Sequence, residues 1–147
     1  FVTVYVLNVL MTPTWIDLIK SIPVSYEQRA EKQVSPLYNN ITEVINTYSS
    51  ENDSISVYGN YDFIYVHSHR KHATRYSYQF PIGQVMPQIM EEYMEQLQAE
   101  LPVIIIVQQN RYDDNISQFL NQNSYSFVWG QYGELDAGGI LIFYRAK

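Results

Sequence analysis

All three histidines of the chain, His67, His69 and His72, fall within six residues, interleaved with Arg70 and Lys71 and followed by Arg75 and Tyr76. These side-chain types support more than one chemistry. Three imidazoles can hold a metal ion, and His67 and His69, two apart, would share a face on a strand, with His72 completing the set if the chain turned back. Arg70, Lys71 and Arg75 oppose that use by repelling a cation, and no metal ligand is assigned. The same cations suit an anion, because a guanidinium offers phosphate oxygens a two-pronged donor. Arg70, Lys71, His72 and Arg75, with Tyr76 beside them, are therefore candidate ligands for a phosphate or sugar phosphate. A competing reading has Arg75 and Tyr76 anchoring a surface connection by hydrogen bonds and packing.

A second candidate group is uncharged. Gly59, Asn60, Gln108, Gln109 and Asn110 follow two β-rich runs, and open α/β sheets place ligands at the carboxyl ends of their strands. Asn60 and Gln108 suit a hydroxyl-rich ligand such as a sugar. Nucleophilic catalysis has no support: cysteine is absent, and neither a G-x-S-x-G elbow nor a glycine-rich phosphate loop occurs. Glu91, Glu92 and Glu95 read as a solvated helix face, and Asp62, Asp113 and Asp114 as helix caps. No catalytic residue and no cofactor is assigned.

The elements that would position these groups follow from periodicity. "TWIDLIKSI" is a short amphipathic helix ending at Pro23, and a proline-bracketed polar connection follows. In "SPLYNNITEVINTY", Ser35 can cap, Pro36 takes the first helical position, and Leu37, Ile41, Val44, Ile45 and Tyr48 form one stripe. "SISVYG" reads as a strand, and "NYDFIYVHSH" as either a helix or a second strand. "VMPQIMEEYMEQLQAEL" places Val85, Ile89, Met90, Tyr93, Met94 and Leu97 on one helical face. "PVIIIVQQN" is continuous enough to be buried on both faces of a parallel sheet. "DDNISQFLNQN" is a helix, and "YSFVWGQY" with "GGILIFYR" a hairpin. The expected fold is a three-layer α/β sandwich with a mixed sheet, parallel at its centre and closed by an antiparallel C-terminal hairpin.

The 147 residues suffice for one packed domain. The division expected is an N-terminal juxtamembrane or packing segment over 1–34 and a single α/β domain over 35–147. A net charge of -6 argues against nucleic acid as a partner. "FVTVYVLNVLM" is apolar but shorter than the roughly 20 residues of a membrane span. It is either an opening strand or the end of a longer span.

Several of these residues also carry a resemblance. Ile55, Val57 and Gly59 form "I-x-V-x-G"; Tyr65 leads to "A-T-R-Y" at Ala73 to Tyr76 and then Pro81. Pro102 to Val107 correspond to a "P-x-x-I-V" strand, and Phe119, Leu120, Asn123 and Tyr125 to an "F-L-x-x-N-Y" order, with one residue more than each pattern has. Together, from Ser35 onward, they resemble the C-terminal extracytoplasmic domain of bacterial polytopic membrane glycosyltransferases, the protein mannosyltransferase-like and aminoarabinose transferase-like enzymes. The resemblance implies a polyprenyl-phosphate sugar donor and a catalytic acid in an early loop of the membrane domain, outside this chain. It further implies an accessory role at the extracytoplasmic face of the cell membrane, capping the membrane active site or binding acceptor. The membrane domain of the same polypeptide, and a lipid-linked sugar or glycan acceptor, would be its partners. The alternative is a free-standing α/β module that binds a small anionic or sugar-phosphate ligand.

Overall fold

The computed structural model describes residues 36–133 and 138–146. The elements expected before Pro36 and residues 134–137 of the last turn lie outside the described residues. From Asn40 onward the chain forms one compact unit. Helix α1 spans Pro36–Tyr48 and buries Ile41 and Ile45; proline fits its first position because the N–H it lacks has no intrahelical acceptor there. In order, β1 (Ser54–Tyr58), α2 (Phe63–Ser68), β2 (Lys71–His72), α3 (Gln79–Gly83), α4 (Gln88–Glu100) and β3 (Ile104–Gln108) follow. After a 3-10 turn at Gln109–Arg111 come α5 (Asp114–Gln122), β4 (Ser126–Gln131) and β5 (Ile140–Tyr144).

One open alternative is decided and one expectation changes. The segment after Gly59 is helical, with Ile64, Tyr65 and Ser68 buried at helical spacing. Val85 does not join the α4 face. It precedes Pro87, at the N-cap of α4, and faces solvent, while Tyr93 and Leu97 supply the buried stripe.

The sheet order is β2-β1-β3-β5-β4. Strands β2, β1 and β3 are parallel, and β5 runs antiparallel to both β3 and β4. Side chains alternate across it. Ser56, Tyr58, Ile105, Val107, Leu141 and Phe143 align by register on one face and pack against Tyr93 and Leu97 of α4 and Ile116, Phe119 and Leu120 of α5. Ile55, Val57, Ile104, Ile106, Ile142 and Tyr144 align on the other. There α1 is marked by the Tyr48 and Tyr144 rings, 5.1 Å apart. Helices on both faces of a mixed sheet make this the three-layer sandwich that the order of segments predicts.

Strand β2 is too short to cover β1. It pairs with Ser54 and Ile55, and the Ala73 amide donates to the Ile55 carbonyl at 2.9 Å. Beyond that point side chains complete the edge: the Val57 amide donates to the Tyr65 hydroxyl at 2.8 Å, and Gln79 Nε2 donates to the Val57 carbonyl at 2.8 Å. On the α4 side, the Ser56 and Tyr93 hydroxyls lie 2.7 Å apart. All five residues are buried, so each bond satisfies a group that water cannot reach.

Tyr65→Phe strands the Val57 amide and should cost about 1–3 kcal/mol of stability. Urea unfolding should show that loss, and leave the exposed Tyr78→Phe unchanged. Burial also favours the neutral phenols, pushing Tyr65 up to about 12 and Tyr93 well above its ordinary value. The fold then holds these protons longer than the unfolded chain does. Their contribution is complete below pH 10 and should fall away as pH rises toward about 12, which denaturant midpoints against pH would record.

Candidate functional site

Arg70 sits where two helices end. Its Nε donates to Ser49 Oγ at 3.1 Å, Nη1 to the Ser68 carbonyl at 2.9 Å, and Nη2 to Asn46 Oδ1 at 2.9 Å and the Ser49 carbonyl at 3.1 Å. Ser49 directly follows α1, and Ser68 is the last residue of α2. A buried guanidinium there neutralises the partial negative charge of two carbonyl ends. Ser68, His67, His69 and Glu51 line an open depression beside it, and Glu51 with the two helix ends disfavours an anion.

The next two residues lie on the sheet edge. Lys71 and His72 are exposed, and the His72 ring stacks on Tyr65 at 3.7 Å and 14°. Partial burial lowers the His72 pKa, against a smaller upward pull from Asp62. His67 stands against Phe63 at 4.7 Å, and His69 takes the left-handed conformation that ends α2. Among the described residues no group of three or more His, Cys, Asp or Glu side chains is placed to hold a metal ion.

Arg75 turns the other way. Its guanidinium meets the Glu92 carboxylate at 2.6 Å and bonds the Tyr76 hydroxyl, and the Tyr76 hydroxyl donates to the same carboxylate at 2.6 Å. The Arg75 amide donates to Gln96 Oε1 at 2.9 Å. Glu92 and Gln96 belong to α4. Arg70 and Arg75 are thus held by helices on opposite faces of the sheet, α1 and α4. The run of cations adjacent in sequence does not converge in space, and the contacts of Arg75 and Tyr76 are those of an anchor.

The carboxyl ends of β1 and β3 do converge. A Cβ on Gly59 would lie 2.6 Å from the Gln108 Cβ, so only glycine allows this approach. The Asn60 amide donates to Gln108 Oε1 at 3.0 Å. The Gln109 amide bonds the Gly139 carbonyl at 2.7 Å and Gln109 Oε1 accepts from the Gly139 amide at 3.2 Å. Tyr61 donates to the Gly138 carbonyl at 3.1 Å. The uncharged group expected at the strand ends is therefore brought together, with Gln108 bonded to the Asn60 backbone amide and Gln109 to the segment that enters β5. Nearby, Tyr58 donates to Asp113 Oδ2 at 2.8 Å, and burial, with Asp113 beside it, holds the phenol protonated. Asp113 Oδ1 accepts from the Ile116 amide at 3.0 Å, the cap its position predicts.

The groove of about 520 Å³ between α4 and α5, floored by Met94 and Phe119, has Glu95 as its one titratable lining residue. Sequence reasoning missed Gln79, Asn46 and Ser49 and read Glu92 as part of a solvated face; their partners lie 16 to 24 positions away. No short-range pattern encodes those pairings. No family model, no curated protein and no solved structure matches the chain. Among the described residues no helix is long and apolar enough to cross a membrane.

The two arginines should separate under mutation. Arg70→Met leaves two helix-end carbonyls without their donor and should cost roughly 2–3 kcal/mol in thermal or urea unfolding. The Arg75 and Glu92 side chains are 61% and 37% exposed, so Arg75→Ala should leave the midpoint nearly unchanged.

Proposed function

We propose that this chain is an accessory extracytoplasmic domain of a membrane glycosyltransferase that uses a polyprenyl-phosphate sugar donor, capping the membrane active site or binding acceptor. The observation that carries the reading is how the residues of the resemblance are used. Ile55 and Val57 are core residues of β1, and Gly59 is fitted against Gln108. Tyr65 holds the Val57 amide, the Ala73 amide extends the ladder of β1, and Tyr76 reaches Glu92. Phe119 and Leu120 are core, Asn123 Nδ2 donates to the Phe119 carbonyl at 2.9 Å, and Tyr125 donates to the Pro102 carbonyl. The pattern is a list of fold contacts in chain order, which is what a shared domain architecture requires.

The site chemistry is compatible with a non-catalytic role. Arg70 is bonded to Asn46, Ser49 and Ser68, Arg75 and Tyr76 to Glu92, Gln108 to the Asn60 amide, and Gln109 to Gly139. A glycosyl transfer needs an ionisable group poised at the reacting sugar, and in this reading the membrane domain supplies it.

The test is sugar transfer from a polyprenyl-phosphate donor in membranes that carry the whole gene product, with and without residues 35–147. Loss of more than about tenfold on deletion, with the isolated chain inactive, is the expected result. Undiminished transfer by the deleted form would overturn the proposal. Sugar-phosphate binding by the isolated chain, with contacts at Lys71 and His72, would favour the free-standing module instead.

A further inference from the structure

Ser68 is 2% exposed, and among the described residues its Oγ has no hydrogen-bond partner. A hydroxyl shut away from water and left unbonded costs stability and calls for a reason. Ser68 lines the depression of about 510 Å³ where α1 and α2 end, a volume in the range of small-molecule sites. Arg70 lines it too. Its guanidinium uses four of its five N–H donors on Ser49, Ser68 and Asn46, which leaves one hydrogen of Nη1. Glu51, Asn52 and His69, all exposed, border the same space.

The chemistry of this lining selects the ligand. None of the lining residues has an aliphatic or benzene-ring side chain, so a lipid or an apolar peptide would find no apolar surface to bury against. Glu51 and the carbonyl ends of both helices oppose an anion, and the buried Arg70 charge opposes a second cation. Vicinal hydroxyls fit what remains, because each can donate to a carboxylate or accept from an amide, an imidazole or a guanidinium. We infer that the depression binds a neutral sugar ring: Glu51 accepts from one hydroxyl, Arg70 Nη1 donates to another, and Ser68 Oγ gains the partner it lacks. Lys71 and His72 are not among its lining residues. The inference stands on the depression and not on the glycosyltransferase reading, which would survive its failure as a capping role.

The test is NMR of the isotope-labelled full chain, titrated with glucose, mannose, galactose and their methyl glycosides. At least one of these rings should shift the Asn52, Ser68 and His69 amides saturably. A methyl glycoside that binds as well as its free hexose assigns the site to the end of a glycan, and one that does not assigns it to free sugar. Glu51→Ala, at an exposed position, should weaken that binding roughly tenfold, the worth of one charged hydrogen bond, and leave the urea midpoint in place. Ser68→Ala should weaken it about fivefold without lowering the midpoint, because an unbonded buried hydroxyl stabilises nothing. Silence at these amides with every probe overturns the inference. Larger saturable shifts there with sodium phosphate would mark an anion site and overturn it too, as would unchanged sugar binding by both variants.

Discussion

A phenol hydroxyl and a side-chain amide stand where a neighbouring strand would be, on the two polar groups of the Val57 peptide. A buried, unpaired backbone group costs as much as a lost hydrogen bond, and β2 is too short to reach this far along β1. The chain between β1 and α4 must therefore fold back so that Tyr65 and Gln79 arrive together. That constraint fixes α2 through Tyr65 and α3 through Gln79. The close fit of Gly83 on Met90 then sets α4 against the same edge.

The basic segment lies between those two fixed points, which explains its chemistry. With α2 held by Tyr65, Arg70 is delivered to the ends of α1 and α2, where carbonyl groups need a cation. Past β2, Thr74 bonds the Tyr76 carbonyl and the chain crosses to the other face, where Glu92 and Gln96 receive Arg75. Histidines and arginines that adjoin in sequence are distributed around an edge. At the carboxyl ends of β1 and β3 the opposite holds: residues 48 positions apart, Asn60 and Gln108, are bonded. The strand ends are the convergent polar feature: Gln108 accepts from the Asn60 backbone amide and Gln109 is bonded to Gly139.

The sequence was informative where structure is local. The run Ile104 to Val107, the stripe of α1, and the Asp113 cap of α5 each state their element within a few residues, because burial on both faces, helical spacing and capping are short-range rules. Strand β2 and helix α3 were not legible. Two residues have no period, and α3 is placed by one glutamine reaching 22 positions back. Val85 fits the helical spacing of α4 but is cut off from it by Pro87, at the N-cap. The histidine cluster looked like a site because proximity along the chain resembles proximity in space, and here the edge strand separates the two.

The Val57 amide is the most direct probe of this arrangement. Among the described residues it has no strand partner, only the Tyr65 hydroxyl. Native-state hydrogen exchange followed by NMR should find it exchanging as slowly as the amides of β3, through unfolding of the whole domain. Exchange at the rate of an exposed loop amide would contradict the claim that side chains close the sheet edge.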